Sequence, residues 1–274
     1  MKIVVPADFS RLSEVAVRYA CGVAKKLKAE IVLLHVVHFA GPPRAAVEFK
    51  IRALEGRMTE EARQDALDLI RRLKREFKGL KLSYEIISGH PVESVIEVYA
   101  KRNDADLIIM GTKGASGLQK VLIGSNAAAV ISKSRLPVMA IPEHARFGKG
   151  VKTIVYASDL ERVGVEMKYL IPLAHLFGAS IHLLHVTSVK SKGNVSLDDI
   201  TKKIRQSRGA AKVTVSILMS ESVLEGIDQY VADVKADMLA MFTHNPSFIE
   251  KLFDWSVTRR AAFQTWIPLL TIKK

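Results

Sequence analysis

Apolar residues along the chain gather in short runs, separated by longer stretches in which they recur at helical spacing. The first run, Lys2–Pro6, predicts a strand. Ser10 then stands where a helix cap is needed, before a helix over Arg11–Lys28 with Ala16, Tyr19, Ala20, Val23 and Leu27 on one face. Ile31–Val37 is almost wholly apolar, the pattern of a strand buried on both sides. Residues 44–77 read as helix, with a break near Gly56 and a restart at Thr59, followed by Glu60 and Glu61. A third strand over Lys81–Ile87, a helix over Val92–Arg102 and a fourth strand over Asp106–Met110 follow. The unit ends with a helix over Ser125–Ser134 and a fifth strand over Pro137–Ile141. Strands alternating with helices predict parallel pairing through right-handed crossovers, and so an open α/β sheet. Such sheets take ligands beyond the carboxyl ends of their strands, where the strand order reverses.

The same order occurs twice. Residues 29–37 (AEIVLLHVV) return as residues 179–187 (ASIHLLHVT), 150 positions on, and VVPAD at 4–8 returns as VYASD at 155–159. Towards the end of each unit the offset falls to 131. There ADLIIMGT at 105–112 matches ADMLAMFT at 236–243, and LPVMAI at 136–141 matches IPLLTI at 267–272. The chain therefore reads as two copies of one unit, over residues 1–143 and 150–274, joined through the polar, glycine-bearing segment near Pro142–Gly150. The second copy lacks about 19 residues between its second and third strands.

Composition narrows the chemistry. Of 274 residues, 49% are hydrophobic and 25% charged, as in ordinary globular domains. The single cysteine, Cys21, excludes an intramolecular disulfide framework and a multi-thiolate metal site, and its helical position reads as inert core. No apolar run is long enough to span a membrane, and the N-terminus is broken by Pro6 and Asp8 too early for a signal peptide. A cytoplasmic protein is expected. The net charge of +13 is spread along the chain, with net +8 in residues 1–142 and +4 in residues 152–274. Its densest stretches, Lys25–Lys28, Arg71–Lys78 and Lys202–Arg208, lie in helical patterns. With no DNA or RNA motif beside them, they read as solvated faces, and no specific nucleic-acid partner is expected.

The candidate chemistry follows the fourth strand. Gly111, Thr112, Lys113 and Gly114 are followed, after nine residues, by Gly124 and Ser125 at a helix start. This matches neither the P-loop nor the dinucleotide fingerprint, but the physics is related. Glycines let the backbone approach phosphate, free N–H groups at a helix start attract anions, and Lys113 adds a positive charge. The alternative is a Gly-rich turn beside an ordinary cap; the strand–loop–helix context, three glycines and a hydroxyl together favour the phosphate reading. Asp8, just after the first strand, is either a turn-forming carboxylate or a ligand group in the crevice it shares with Gly111. His35 has a counterpart in His185, which points to a structural role common to both copies.

At these residues the chain resembles the universal stress proteins. Gly111, Gly114, Gly124 and Ser125 match that family's G-x2-G-x9-G-[ST] signature, and VPADFS, LLHVV and LPVMAIP resemble its first, second and last strands. The resemblance covers essentially the whole chain. It implies two tandem parallel-sheet α/β sandwiches of strand order 3-2-1-4-5, like the adenine-nucleotide α-hydrolase fold. It also implies an ATP site in the first copy, with Mg²⁺ as a candidate companion. Asp8 and the backbone around Val36 would meet the adenine end, Met110 and Gly111 would line the ribose, and Pro6 and Ala7 would also belong to the binding site. Lys113, Gly114, Gly124, Ser125 and Asn126 would hold the phosphates. The expected role is an ATP-binding regulatory or stress-response protein acting on an unknown protein partner. A slow ATP hydrolase and a structural adaptor with a vestigial site stand as alternatives, since no paired carboxylates accompany the phosphate loop.

In the second copy the signature fails. Phe242 replaces Gly111, His244 replaces Lys113, Asn245 replaces Gly114 and Trp255 replaces Gly124, while Ser256 and Asp159 retain the Ser125 hydroxyl and the Asp8 carboxylate. Phe242 and Trp255 are expected to fill the ribose and phosphate positions. Arg259 and Arg260 read as a solvent-facing helix turn. The resemblance also implies an internal pseudo-dimer, with Pro137–Ile141 antiparallel to Pro268–Ile272, and leaves open a further homodimer of chains.

Overall fold

A computed structural model describes residues 1–38, 48–112, 124–148, 150–187, 202, 204, 211–243 and 267–273, with the backbone alone described at 48–52 and 243. It divides into two compact units, Met1–Arg146 and Phe147–Lys274.

In the first unit β1 (Lys2–Pro6), β2 (Glu30–Val37), β3 (Leu82–Ser88), β4 (Leu107–Gly111) and β5 (Val138–Ile141) lie in the order β3-β2-β1-β4-β5. Every pairing between them is parallel, with Ile3 beside Ile31 on one side and beside Leu107 on the other. The order reverses between β1 and β4, so the crevice predicted to take ligands opens past Pro6 and Gly111. The second unit repeats the arrangement with β6 (Thr153–Ala157), β7 (Ser180–Thr187), β8 (Val213–Met219), β9 (Met238–Thr243) and β10 (Leu269–Lys273), in the order β8-β7-β6-β9-β10. These pairings too are parallel. The doubly wound fold implied by the sequence is thus present in each unit.

Central strands are buried from both faces: Ile3, Val4, Val5, Ile108 and Ile109 are fully inaccessible. Helix α1 (Arg11–Leu27) presents Ala16, Val17, Ala20, Cys21, Val23 and Ala24 to this core. It starts at Ser10, whose Oγ accepts from Ser13 N at 3.2 Å, and ends at Lys28 in the left-handed region (φ 53°). Helix α2 (Glu48–Glu76) runs without a break through Gly56, where a helix break was expected; residues 44–47 lie outside the described residues. A Cβ on Gly56 would meet nothing within 4 Å, so this glycine serves no close approach. One glycine costs a helix about 1 kcal/mol, which the buried stripe of Ala62, Ala66, Leu69, Ile70 and Leu73 outweighs. Helices α3 (Val92–Arg102) and α4 (Ser125–Lys133) complete the first unit, and α5 (Val163–Phe177) and α6 (Val223–Asp233) belong to the second. Among the described residues no helix is long and apolar enough to cross a membrane, and no cluster of metal-binding side chains occurs.

Cys21 is wholly buried, and burial pushes its thiol up to about 12. The thiolate is the reactive species, so at pH 8 about one thiol in 10⁴ is in that form. The native protein is expected to leave a thiol reagent unreacted at pH 8 and to consume one equivalent once unfolded in denaturant. Rapid labelling of the native state would place Cys21 outside the core.

Candidate functional site

The turn after β1 builds one wall of a cleft. Ala7 N donates to Leu34 O at 3.0 Å, which carries the β1–β2 pairing one residue past Pro6. The chain then reverses: Asp8 Oδ1 accepts from Ser10 N at 3.0 Å, and Phe9 takes up a left-handed conformation at φ 57°. Phe9 stacks on His35 with centroids 5.0 Å apart and planes 25° apart. His35 Nδ1 lies 2.8 Å from Ala7 O; a carbonyl can only accept, so Nδ1 carries the proton.

The second wall comes from β4 and α4. Thr112 N donates to Ile141 O at 3.0 Å, and Gly124 N donates to Thr112 O. Thr112 and Gly124 are therefore held against each other. Gly124 caps α4 with extended dihedrals (φ −68°, ψ 156°) and offers no side-chain bond to the first-turn N–H groups. Those groups and the positive end of the helix dipole are available to an anion. Lys133 at the far end of α4 pairs with Glu93 of α3 at 2.7 Å, which holds the two helices together. That contact keeps the Glu93 carboxyl below its ordinary range, so the stability it adds is present at neutral pH and is lost as acid protonates Glu93.

Between the walls lies a cleft of about 440 Å³. Nine of the sequence-predicted residues line it: Pro6, Ala7, Asp8, Val36, Met110, Gly111, Gly124, Ser125 and Asn126. Lys113 and Gly114 lie outside the described residues. His38, Met58, Val92 and Ile96 also line the cleft, and sequence reasoning missed them. Met58 reaches it from the N-terminal part of α2, continuing that helix's buried stripe. Its spacing from Ala62 and Ala66 was visible in the sequence, but the direction of the helix relative to the crevice was not.

The second unit retains the turn but changes its surroundings. Asp159 Oδ1 accepts from Glu161 N at 3.0 Å, Leu160 takes φ 70°, and His185 Nδ1 bonds Ser158 O at 2.9 Å. The shared histidine therefore braces the first-strand turn in both copies, and the aspartate's bond to the backbone is common to both. The position of Gly111 is different. Phe242 is buried, 9% exposed, and meets Tyr156 edge-on at 5.5 Å. The Tyr156 hydroxyl donates to Glu166 Oε2, and Glu166 is itself 1% exposed. At the repeat offsets these three residues replace Gly111, Val5 and Ala16, so connected bulk stands where the first copy has small side chains. His244, Asn245, Trp255, Ser256, Arg259 and Arg260 lie outside the described residues.

Comparison with known proteins agrees with this architecture. Universal stress protein MJ0531 of Methanocaldococcus jannaschii is 35% identical over 143 residues, spanning 51% of this chain and 81% of that protein. Universal stress protein MJ0577 of the same organism is 33% identical over 156 residues, spanning 51% of this chain and 93% of its own. The solved structure of a universal stress protein from Archaeoglobus fulgidus covers 99% of this chain and 98% of its own, with a TM-score of 0.73 and 19% identity, and so shares the fold. The model of the universal stress protein family matches residues 1–142 and again residues 151–273. With the repeated sheet order, this places the chain in the universal stress protein family, as two consecutive domains of it.

Proposed function

We propose that the first unit binds an adenine nucleotide, ATP in the first instance, in the cleft between the β1 turn and the start of α4. The observation that carries this reading is the convergence of Asp8, Val36, Met110, Gly111, Gly124, Ser125 and Asn126 on one cavity beyond the strand ends. Its volume of about 440 Å³ falls in the roughly 300–1,000 Å³ range of small-molecule sites. The chemistry of the lining fits a nucleotide. Val36, Met58, Met110 and Ile96 offer apolar contact to a base and sugar, Asp8 offers a carboxylate to their polar edges, and α4 offers unpaired N–H groups to phosphate. Lys113 and Gly114 are assigned to the phosphates by the signature alone. Ser125, also in the lining, would supply a hydroxyl to the phosphates, and Mg²⁺ is a candidate companion of the nucleotide.

In this reading the protein is a cytoplasmic regulatory protein whose nucleotide occupancy alters its interaction with a protein partner. In the second unit Phe242 and Tyr156 stand in place of Gly111 and Val5, so no matching site is expected there. Mass spectrometry of the ligand released from freshly purified protein tests the proposal. Adenine nucleotide at up to one equivalent per chain is expected. Protein that carries none, and that gives no thermal shift in millimolar ATP, would overturn it. A phosphate-release assay on the same sample separates a binding protein from a slow hydrolase.

A further inference from the structure

At the opposite end of the first sheet, where the strands begin, a second cleft of about 450 Å³ is lined by Lys25, Lys28, Lys78 and Lys81, with Glu30, Gly79 and Leu80 between them. Five- to eight-residue strands rising about 3.3 Å per residue set it some 15–25 Å from the nucleotide cleft. All four lysines are exposed, and among the described residues none has an ion-pair partner. The one carboxylate among the described lining residues, Glu30, is 3.9 Å from Lys2 Nζ.

The backbone beneath these lysines is fixed. Ala29 N donates to Ala24 O at 2.9 Å, closing α1; Leu80 N donates to Phe77 O at 3.3 Å, closing the turn after α2; and Ile31 N donates to Lys81 O at 2.9 Å, joining the starts of β2 and β3. Four cations are thus held around one concavity, although like charges repel and the isolated arrangement is unfavourable. Lysines near helix ends are stabilised by the helix dipole, which accounts for Lys25 in the last turn of α1. It does not account for the cluster, because the duplicate provides a control. At the repeat offsets Lys25, Lys28 and Lys78 become His175, Gly178 and Gly209, and only Lys81 keeps a lysine, Lys212. Helix α5 closes on Gly178 at φ 70°, while α1 holds a lysine at φ 53° in the same role. The fold does not require these cations, and the first copy alone collects them.

We propose that this lysine cleft is a second anion site, selective for a compact oligophosphate. Lysine ammonium groups act as point charges suited to phosphate oxygens distributed around a chain. The described lining residues include no aromatic ring on which a nucleobase could stack, and the charge is gathered in one hollow rather than along a track, which disfavours single-stranded or duplex nucleic acid. The oligophosphate is a free one, since the described lining offers a nucleoside nothing to stack on.

The test uses full-length protein carrying Gly124→Trp, the substitution expected to close the nucleotide cleft, titrated calorimetrically with inorganic tripolyphosphate at 50 mM salt. A Lys25→Gln, Lys78→Gln, Lys81→Gln triple variant of the same protein is the comparison; Lys28 is left in place because it closes α1. One site is expected, weakened at least tenfold in the triple variant and progressively by salt. ATP is expected to bind much more weakly than tripolyphosphate in this background; ATP binding as tightly would overturn the selectivity for free oligophosphate. Equal affinity for parent and triple variant would overturn the proposal. So would sulfate binding as tightly as tripolyphosphate, or a 20-base-pair duplex binding more tightly than either and losing that affinity in the triple variant.

Discussion

Substitution of Gly124 by tryptophan is expected to abolish nucleotide binding while leaving the fold intact. Gly124 lines the cleft at the start of α4, and its N–H is already committed to Thr112 O. Its dihedrals, φ −68° and ψ 156°, suit any residue, so a side chain brings no backbone strain. What it brings is volume in the space through which phosphate must reach the first-turn N–H groups. The duplicate carries Trp255 at the matching position. An affinity loss of at least a hundredfold is expected, about 2.7 kcal/mol. Unfolding free energy should change by no more than about 1 kcal/mol, the scale of a helix-cap substitution. Isothermal titration with ATP and chemical denaturation of the same sample read both quantities. Unchanged affinity would place the ligand elsewhere.

The Asp8 carboxylate requires a more discriminating substitution, because it already has a structural task. Asp8→Asn keeps an oxygen for Ser10 N and keeps a residue suited to this turn, but removes the charge. Asp8→Ala removes both. If Asp8 also contacts ligand, the asparagine variant should keep its stability within about 0.5 kcal/mol. It should nonetheless bind ATP about ten- to a hundredfold more weakly, the size of a lost charge-assisted hydrogen bond of about 1.5–3 kcal/mol. The alanine variant should lose affinity and also about 1 kcal/mol of stability with the turn. An asparagine variant that binds like the parent would confine Asp8 to the turn, the role that Asp159 plays in the second unit.

The elements legible in the sequence were those in which local pattern and tertiary environment agree. Lys2–Pro6 and Val92–Arg102 have the predicted limits because each is bounded by a chain-reversing residue and buried on the face its periodicity marks. Where limits shift by a residue, a specific bond explains it. Asp106 precedes β4 because its Oδ2 accepts from Lys2 N at 2.7 Å, and Pro137 precedes β5 because it lacks an N–H, although its carbonyl accepts from Ile108 N. Gly56 misled because a glycine reads as a break locally, whereas the buried stripe of α2 is a property of the sheet beneath it. In the candidate site, residues on one strand end or one loop were legible from spacing. Met58, brought in by a distant helix, was not. Neither was Glu166: nothing in the pattern of α5 marks a buried carboxylate, because its partner Tyr156 lies on another element.

One nucleotide per chain is the central claim, and calorimetric titration of the intact protein with ATP tests it most directly. A stoichiometry near one is expected, with the signal lost in the Gly124→Trp variant, because the second unit has Phe242 packed on Tyr156 where the first has Gly111 and Val5. Two equivalent adenine-nucleotide sites per chain, or one site that survives Gly124→Trp unchanged, would contradict it.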